Sequence, residues 1–164
     1  KAYDPKDEKE AYVMDMRSSS DSWLGSFREM AGYLNANNDM DVYTYFFDQN
    51  MASHENAPDD EFYGCFHSTE LWYTFNSMRD VEGQRKWTAQ DHALADEIST
   101  YYANFVKTGN PNGEGLAEWA KGTREDDIPF MWWHDGTSEC ITGREGSEKD
   151  AINLKAAAER LNFD

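Results

Sequence analysis

The sequence is poor in cysteine, in basic residues and in long apolar runs, and each shortage excludes a class of protein. Its two cysteines, Cys65 and Cys140, are too few for a small disulfide-stapled fold, and their spacing fits no zinc site. The 15 Lys and Arg residues face 32 Asp and Glu residues, and the net charge of −17 repels phosphate backbones and anionic lipid surfaces. No apolar run approaches the length of a membrane span. We therefore expect no nucleic-acid partner, no membrane partner and no metal site.

Aromatic residues, in contrast, are plentiful. They make up 15% of the 164 residues, within a hydrophobic fraction of 39%, so there is enough apolar material for a packed core. The length suits one domain and is too short for two. We expect one unit over residues 1–164, with the acidic excess on a solvated surface. Two cysteines fit one disulfide or two thiols equally well, so both a secreted and a cytoplasmic location stay open.

Two helices are predicted by apolar residues that recur at helical spacing. The first begins at Ser20 or Asp21, both good N-cap residues, after a short helical piece around Glu10–Met16. The second covers 89–107, with Thr88 and Asp91 as a capping box. The positions predicted to face the core are Trp23, Phe27, Met30, Ala31 and Leu34 on the first helix, and Leu94, Ile98, Tyr101, Tyr102, Phe105 and Val106 on the second.

Strand signals alternate with these helices. Residues 42–48 are apolar on both faces, which predicts a strand covered on both sides. Residues 128–133 predict a second strand, and Glu139–Thr142 a short third one. A last helix is predicted from Ser147 to about Leu161. Strands that alternate with helices indicate an α/β fold.

His67 is the strongest candidate for chemistry. It follows the 42–48 strand in a loop, and loops at the carboxyl end of a sheet hold the catalytic groups of α/β enzymes. A neutral imidazole can take a proton from a hydroxyl nucleophile and return it to a leaving group. The alternative is a surface or hydrogen-bonding histidine. His67 and Glu70 alone are too few ligands for a metal site.

Three segments resemble one enzyme family. GCFHSTELWYTF (64–75) resembles the histidine segment of the type B carboxylesterases, the cholinesterase-like branch of the α/β-hydrolases. The stretch from Trp87 to YYANFVKTGNPNGEGLAEW (101–119) resembles a helix and turn of the same family, almost residue for residue. A third match is Ser20-Asp21-x-x-Leu24, which opens a helix. The matches cover residues 20–133 in the order of the family.

The resemblance implies a fold, a reaction and roles for residues. The fold is the C-terminal portion of an α/β-hydrolase, with the last strands of a mostly parallel sheet and their flanking helices. The reaction is carboxylic ester hydrolysis by a serine–acid–histidine triad without a cofactor, in which His67 is general base and then general acid. Glu70 stands where the family has a carboxylate that supports the histidine. Cys65, Phe66 and Trp72 are candidates to line the pocket for a small-molecule ester.

The chain also departs from the family pattern. No Gly-x-Ser-x-Gly elbow and no His-Gly-Gly-Gly loop occur in the 164 residues. We therefore expect the N-terminal part of the same enzyme, or a second copy, as a partner, and no turnover by this chain alone. Two alternatives remain: a cholinesterase-like protein that binds or mediates adhesion without catalysis, and an independent acidic α/β binding module.

Overall fold

A computed structural model describes residues 4–38, 40–54, 56, 64–122, 128–142 and 148–161. They form two compact units, one from residues 1–44, 120–130 and 141–164 and the other from residues 45–119 and 131–140, and each is described by itself. The helices and strands are α1 (Glu8–Asn37), β1 (Tyr45–Phe47), α2 (Leu71–Thr74), α3 (Ala89–Thr108), β2 (Phe130–His134), β3 (Thr137–Ile141) and α4 (Glu148–Leu161). None of the described helices is long and apolar enough to cross a bilayer.

In the first unit, α1 begins much earlier than the predicted start at Ser20 or Asp21. Asp7 is the N-cap, and its carboxylate accepts a hydrogen bond from the amide of Glu10 at 2.7 Å. Ser20 does not cap a helix, because its hydroxyl donates to the carbonyl of Met16 one turn back, at 3.3 Å. Asp21 is buried inside the same helix. The predicted short piece and the predicted helix are therefore one continuous helix.

The buried face of α1 also differs from the prediction. Ala31 is buried as predicted and Leu24 and Arg28 are buried beside it, whereas Trp23 is 62% exposed and stacks on the exposed Phe27 with ring centroids 5.7 Å apart. The reason is the approach of α4: a Cβ atom on Gly25 would lie 3.0 Å from the backbone carbon of Asn153. A helix can come this close only over a residue without a side chain, and the glycine side of α1 is the one that packs.

Arg28 holds the first unit together. Its side chain is fully buried, its Nε donates to the carbonyl of Ile128 at 2.7 Å, and its Nη2 donates to the carbonyl of Thr142. The guanidinium carbon lies 4.8 Å from the centre of the Phe130 ring. A buried cation is tolerated where its donors are satisfied in this way.

The second unit contains a three-stranded sheet in the order β1-β2-β3. β1 and β2 are parallel, as the resemblance implies, and Phe46 lies opposite Trp132. A two-residue turn joins β2 to β3, and Asp135 and Gly136 have φ angles of 45° and 70°. Both angles are positive, as in a type I′ hairpin turn, so β3 starts directly after it at Thr137.

β1 is shorter than the predicted strand 42–48. Asn35 takes both backbone groups of Val42, since its Oδ1 accepts from the Val42 amide at 2.8 Å and its Nδ2 donates to the Val42 carbonyl at 3.1 Å. A backbone engaged by a side chain is unavailable to a strand ladder. β2 begins at Phe130 and not at residue 128, because Pro129 has no amide hydrogen to donate.

The α3 helix confirms the capping prediction. Thr88 and Asp91 form a reciprocal capping box, and Gly109 ends the helix with a φ of 76°. Leu94, Ile98 and Tyr101 are buried as predicted. The last turn is different, since Phe105 and Val106 are exposed. The predicted α4 runs to Leu161, and its predicted N-cap Ser147 lies outside the described residues.

Candidate active site

The loop that carries His67 lies at the carboxyl end of β1. Cys65 fixes it there, because its Sγ donates to the carbonyl of Phe47, the last residue of β1, at 3.2 Å and lies 4.0 Å from Oδ1 of Asp48. Asp48 also accepts a hydrogen bond from the indole of Trp132 at 3.3 Å. Two residues beyond Cys65, the histidine therefore follows the end of a parallel strand, where α/β enzymes place catalytic groups.

Local hydrogen bonds shape the loop. The amide and the hydroxyl of Thr69 donate to the carbonyl of Phe66, at 3.0 and 2.8 Å, and the amide of Leu71 donates to the carbonyl of Ser68 at 3.3 Å. Ser68 has a φ of 73°, in the left-handed region that side chains rarely adopt. The turn therefore holds residues 66–71 in one defined conformation, immediately before α2.

The His67 ring is exposed, and its Nδ1 lies 2.7 Å from the hydroxyl of Ser68. In a serine hydrolase the triad acid binds Nδ1 and the nucleophile binds Nε2. Among the described residues no second side chain is hydrogen-bonded to the ring, so Nε2 is available. A hydroxyl both donates and accepts, so Ser68 can pair with either tautomer of the imidazole.

The other predicted site residues lie around this loop without touching the ring. Glu70 is half-buried, and no hydrogen bond among the described residues joins its carboxylate to His67. Phe66 is exposed, while Trp72 packs on Trp87 with ring centroids 5.7 Å apart. The supporting role of Glu70 and the pocket roles of Cys65, Phe66 and Trp72 stay predictions.

An open groove of about 620 Å³ lies between α2 and α3 beside β1. Its walls are mostly apolar, and Val106, at 82% exposed, and Phe75, at 71%, are the most solvent-exposed of its large hydrophobic residues. The lining residues are Tyr45, Glu70, Leu71, Thr74, Phe75, Ser99, Tyr102, Ala103, Val106 and Lys107. Of the predicted site residues, Glu70 reaches this groove. The apolar stripe of α3 includes both buried Ile98 and exposed Val106, so its periodicity alone does not reveal the groove.

Asp91, predicted as part of a helix cap, also makes buried contacts with residues on either side of the His67 loop. Asp91 is 4% exposed, and its Oδ1 accepts from the hydroxyl of Tyr73 at 2.8 Å and from Nε2 of Gln49 at 3.4 Å. Burial, reinforced by the hydrogen bond to Asp91, raises the pKa of Tyr73 far above its ordinary value, so this hydroxyl stays protonated. Within the described residues, no His, Cys, Asp or Glu cluster could hold a metal ion.

Sequence comparison decides the family. The sequence profile of the carboxylesterase family matches residues 2–138. The chain belongs to the carboxylesterase family. It is 35% identical over 81 residues to an acetylcholinesterase from Danio rerio, covering 49% of this chain and 12% of that protein. It is 37% identical over 60 residues to a human cocaine esterase, covering 37% of this chain and 11% of the relative.

A structural comparison agrees with the family. An esterase from the anaerobe Clostridium hathewayi, described as hydrolysing aliphatic aromatic polyesters, superposes with a TM-score of 0.52 over 73% of this chain and 21% of its own. At 17% identity this likeness concerns the fold alone, and it confirms the predicted partial α/β-hydrolase fold. This carboxylesterase-family chain thus spans only about a tenth of the length of these two curated relatives.

Proposed function

We propose that this chain supplies the histidine of a serine–acid–histidine triad that hydrolyses carboxylic esters. The observation that carries the proposal is the exposed ring of His67, in a carboxylesterase-like motif, on a loop at the carboxyl end of a parallel strand. In this role Nε2 takes the proton from the serine hydroxyl as it attacks the ester carbonyl, and then gives it to the departing alcohol. In the second half-reaction water attacks the carbonyl of the acyl-serine and gives a proton to Nε2, which passes it to the serine oxygen as the acid is released, so that the nucleophile is restored.

The nucleophile and the acid come from a partner segment, namely the N-terminal part of the same enzyme. Three observations support this. The 164 residues contain no Gly-x-Ser-x-Gly elbow, and the curated relatives are many times longer than the part that matches. In addition, β1 pairs with β2 alone among the described strands, so its other side is an edge of the described sheet. A second strand at that side would complete the sheet, whereas pairing between copies would give an oligomer.

The test is ester hydrolysis by the chain with and without its N-terminal partner segment. We expect no enzyme-like hydrolysis of a p-nitrophenyl ester by the chain alone, and turnover when the complete polypeptide is produced. In that polypeptide His67→Ala should lower kcat by about 10⁴-fold or more. His92→Ala is the matched control, because His92 lies on α3 and contacts Asp80 at 3.1 Å. Turnover by the chain alone, or a His67→Ala enzyme as active as His92→Ala, would contradict the proposal.

A further inference from the structure

The two residues that flank the histidine segment meet at one oxygen atom. Gln49 lies just after β1, and Tyr73 lies in α2, so the chain between them carries the whole His67 loop. Both donate to Oδ1 of Asp91, Tyr73 at 2.8 Å and Gln49 at 3.4 Å. All three side chains are buried.

The capping of α3 does not explain the two hydrogen bonds to Oδ1 of Asp91. The capping box uses Oδ2, which accepts from the backbone amide of Thr88 at 2.9 Å and from its hydroxyl at 2.7 Å. The box would be complete without any bond to Oδ1. Asp91 thus has two separable tasks, one on each oxygen.

Gln49 extends the same network to the sheet. Its Oε1 accepts from the amide of Gly136 at 2.7 Å, in the turn that joins β2 to β3. Tyr73 is wedged between rings, with its centroid 5.1 Å from Phe47 and 6.1 Å from Trp87. The side chains of Gln49 and Tyr73 are therefore held in place, because each makes a second contact besides its hydrogen bond to Asp91.

We propose that Asp91 is a positioning residue for His67. Through its hydrogen bonds to Tyr73 and Gln49, Asp91 sets the position of the histidine loop at the end of β1. The inference rests on the proposed function of His67 in one respect only: that the position of the loop matters for catalysis. The loop geometry itself can be measured without catalysis.

The first experiment compares two variants that each lose one buried phenol hydroxyl. Tyr73→Phe removes the bond to Asp91. Tyr101→Phe is the matched control, because Tyr101 is also buried and donates to the carbonyl of Ala117 at 2.6 Å, away from the loop. Hydrogen exchange of the Thr69 and Leu71 amides in the full chain reports loop opening. We expect about tenfold faster exchange in Tyr73→Phe and a change below about twofold in Tyr101→Phe.

Equal exchange in the two variants, whether fast or slow, overturns the proposal, because the loop would then not depend on this network in particular. If Tyr73→Phe does not fold, Gln49→Met removes the second donor to Oδ1 at similar side-chain length and is judged by the same criterion.

The second experiment separates this proposal from the proposed function. In the complete polypeptide, Tyr73→Phe should lower kcat about tenfold or more with KM unchanged, and Tyr101→Phe should alter neither. If exchange rises in Tyr73→Phe while His67→Ala keeps full ester turnover, the positioning of the loop stands and the proposed function fails. If exchange is unchanged while His67→Ala is inactive, the proposed function stands and the role of Asp91 is refuted.

Discussion

Buried tyrosines should make the second unit lose stability above about pH 10. The hydroxyls of Tyr73 and Tyr101 belong to fully buried residues, and burial raises both pKa values above the ordinary 10.0. In the unfolded chain the same phenols ionise near that ordinary value. Rising pH therefore removes protons from the unfolded state first, which stabilises it relative to the folded state.

The size of the effect follows from linkage. For a tyrosine whose folded pKa lies well above 10, the free energy of unfolding should fall by about 1 kcal/mol between pH 10 and pH 11. Beyond pH 11 it should fall by about 1.4 kcal/mol per pH unit until the folded pKa is approached. Its stabilising contribution is fully present below the unfolded pKa and is lost as the pH rises toward the folded pKa. Tyr73 and Tyr101 together should thus contribute a loss of about 2 kcal/mol over the first of these pH units.

Urea unfolding at about pH 9, 10 and 11 measures this loss. The difference in unfolding free energy between the parent chain and Tyr73→Phe should shrink by about 1 kcal/mol from pH 10 to pH 11. Ile98→Val, at a buried position of the same unit, is the control, because its cost of about 1 kcal/mol involves no proton. A Tyr73→Phe difference that stays constant across this range would refute the reasoning.

Two further substitutions test the packing. Gly136→Ala should destabilise the second unit by about 2 kcal/mol in thermal denaturation, because its φ is +70° and because the exposed Gln90 side chain, 2.1 Å from the new Cβ, must rotate away and lose its hydrogen bond to the carbonyl of Asp135. Gly83→Ala, at +80° with nothing within 4 Å, should cost only about 1 kcal/mol, and equal losses would count against the steric argument. Arg28→Met should cost about 2–4 kcal/mol in urea unfolding by orphaning two carbonyl groups. As a control, Arg79→Met at an exposed position should cost under about 0.5 kcal/mol. A similarly small loss for Arg28→Met would contradict the stabilising role of its hydrogen bonds.

Local signals explain the parts of the fold that the sequence predicts well. The start of the α3 helix is marked by Thr88 with Asp91 and its end by Gly109. The structure confirms both, with a capping box at the start and a left-handed glycine at the end. The α1 helix shows the opposite case. Ser20 satisfies the rule for an N-cap, yet its hydroxyl bonds backward within the helix, and the choice of buried face depends on Asn153, a residue far along the chain.

The site divides in the same way. The motif around His67 is contiguous, so its family and its place after a strand can be predicted from sequence. The contact that joins Gln49 to Asp91 spans 42 positions, and that between Trp132 and Asp48 spans 84, so neither leaves a local pattern. The groove was hidden for a related reason, because the same apolar period describes buried Ile98 and exposed Val106.

The placement of the six tryptophans has a practical consequence for spectroscopy. Trp23 is the one indole within residues 1–44, 120–130 and 141–164, and it is already in water, so its emission should change little on denaturation. Trp119 and Trp133 are buried edge to face, with centroids 5.3 Å apart, and should dominate the fluorescence change. Emission would then follow the second unit, while far-ultraviolet circular dichroism, weighted toward the long α1 helix, follows the first. Coincident curves from the two signals would mean that the chain melts as one cooperative body.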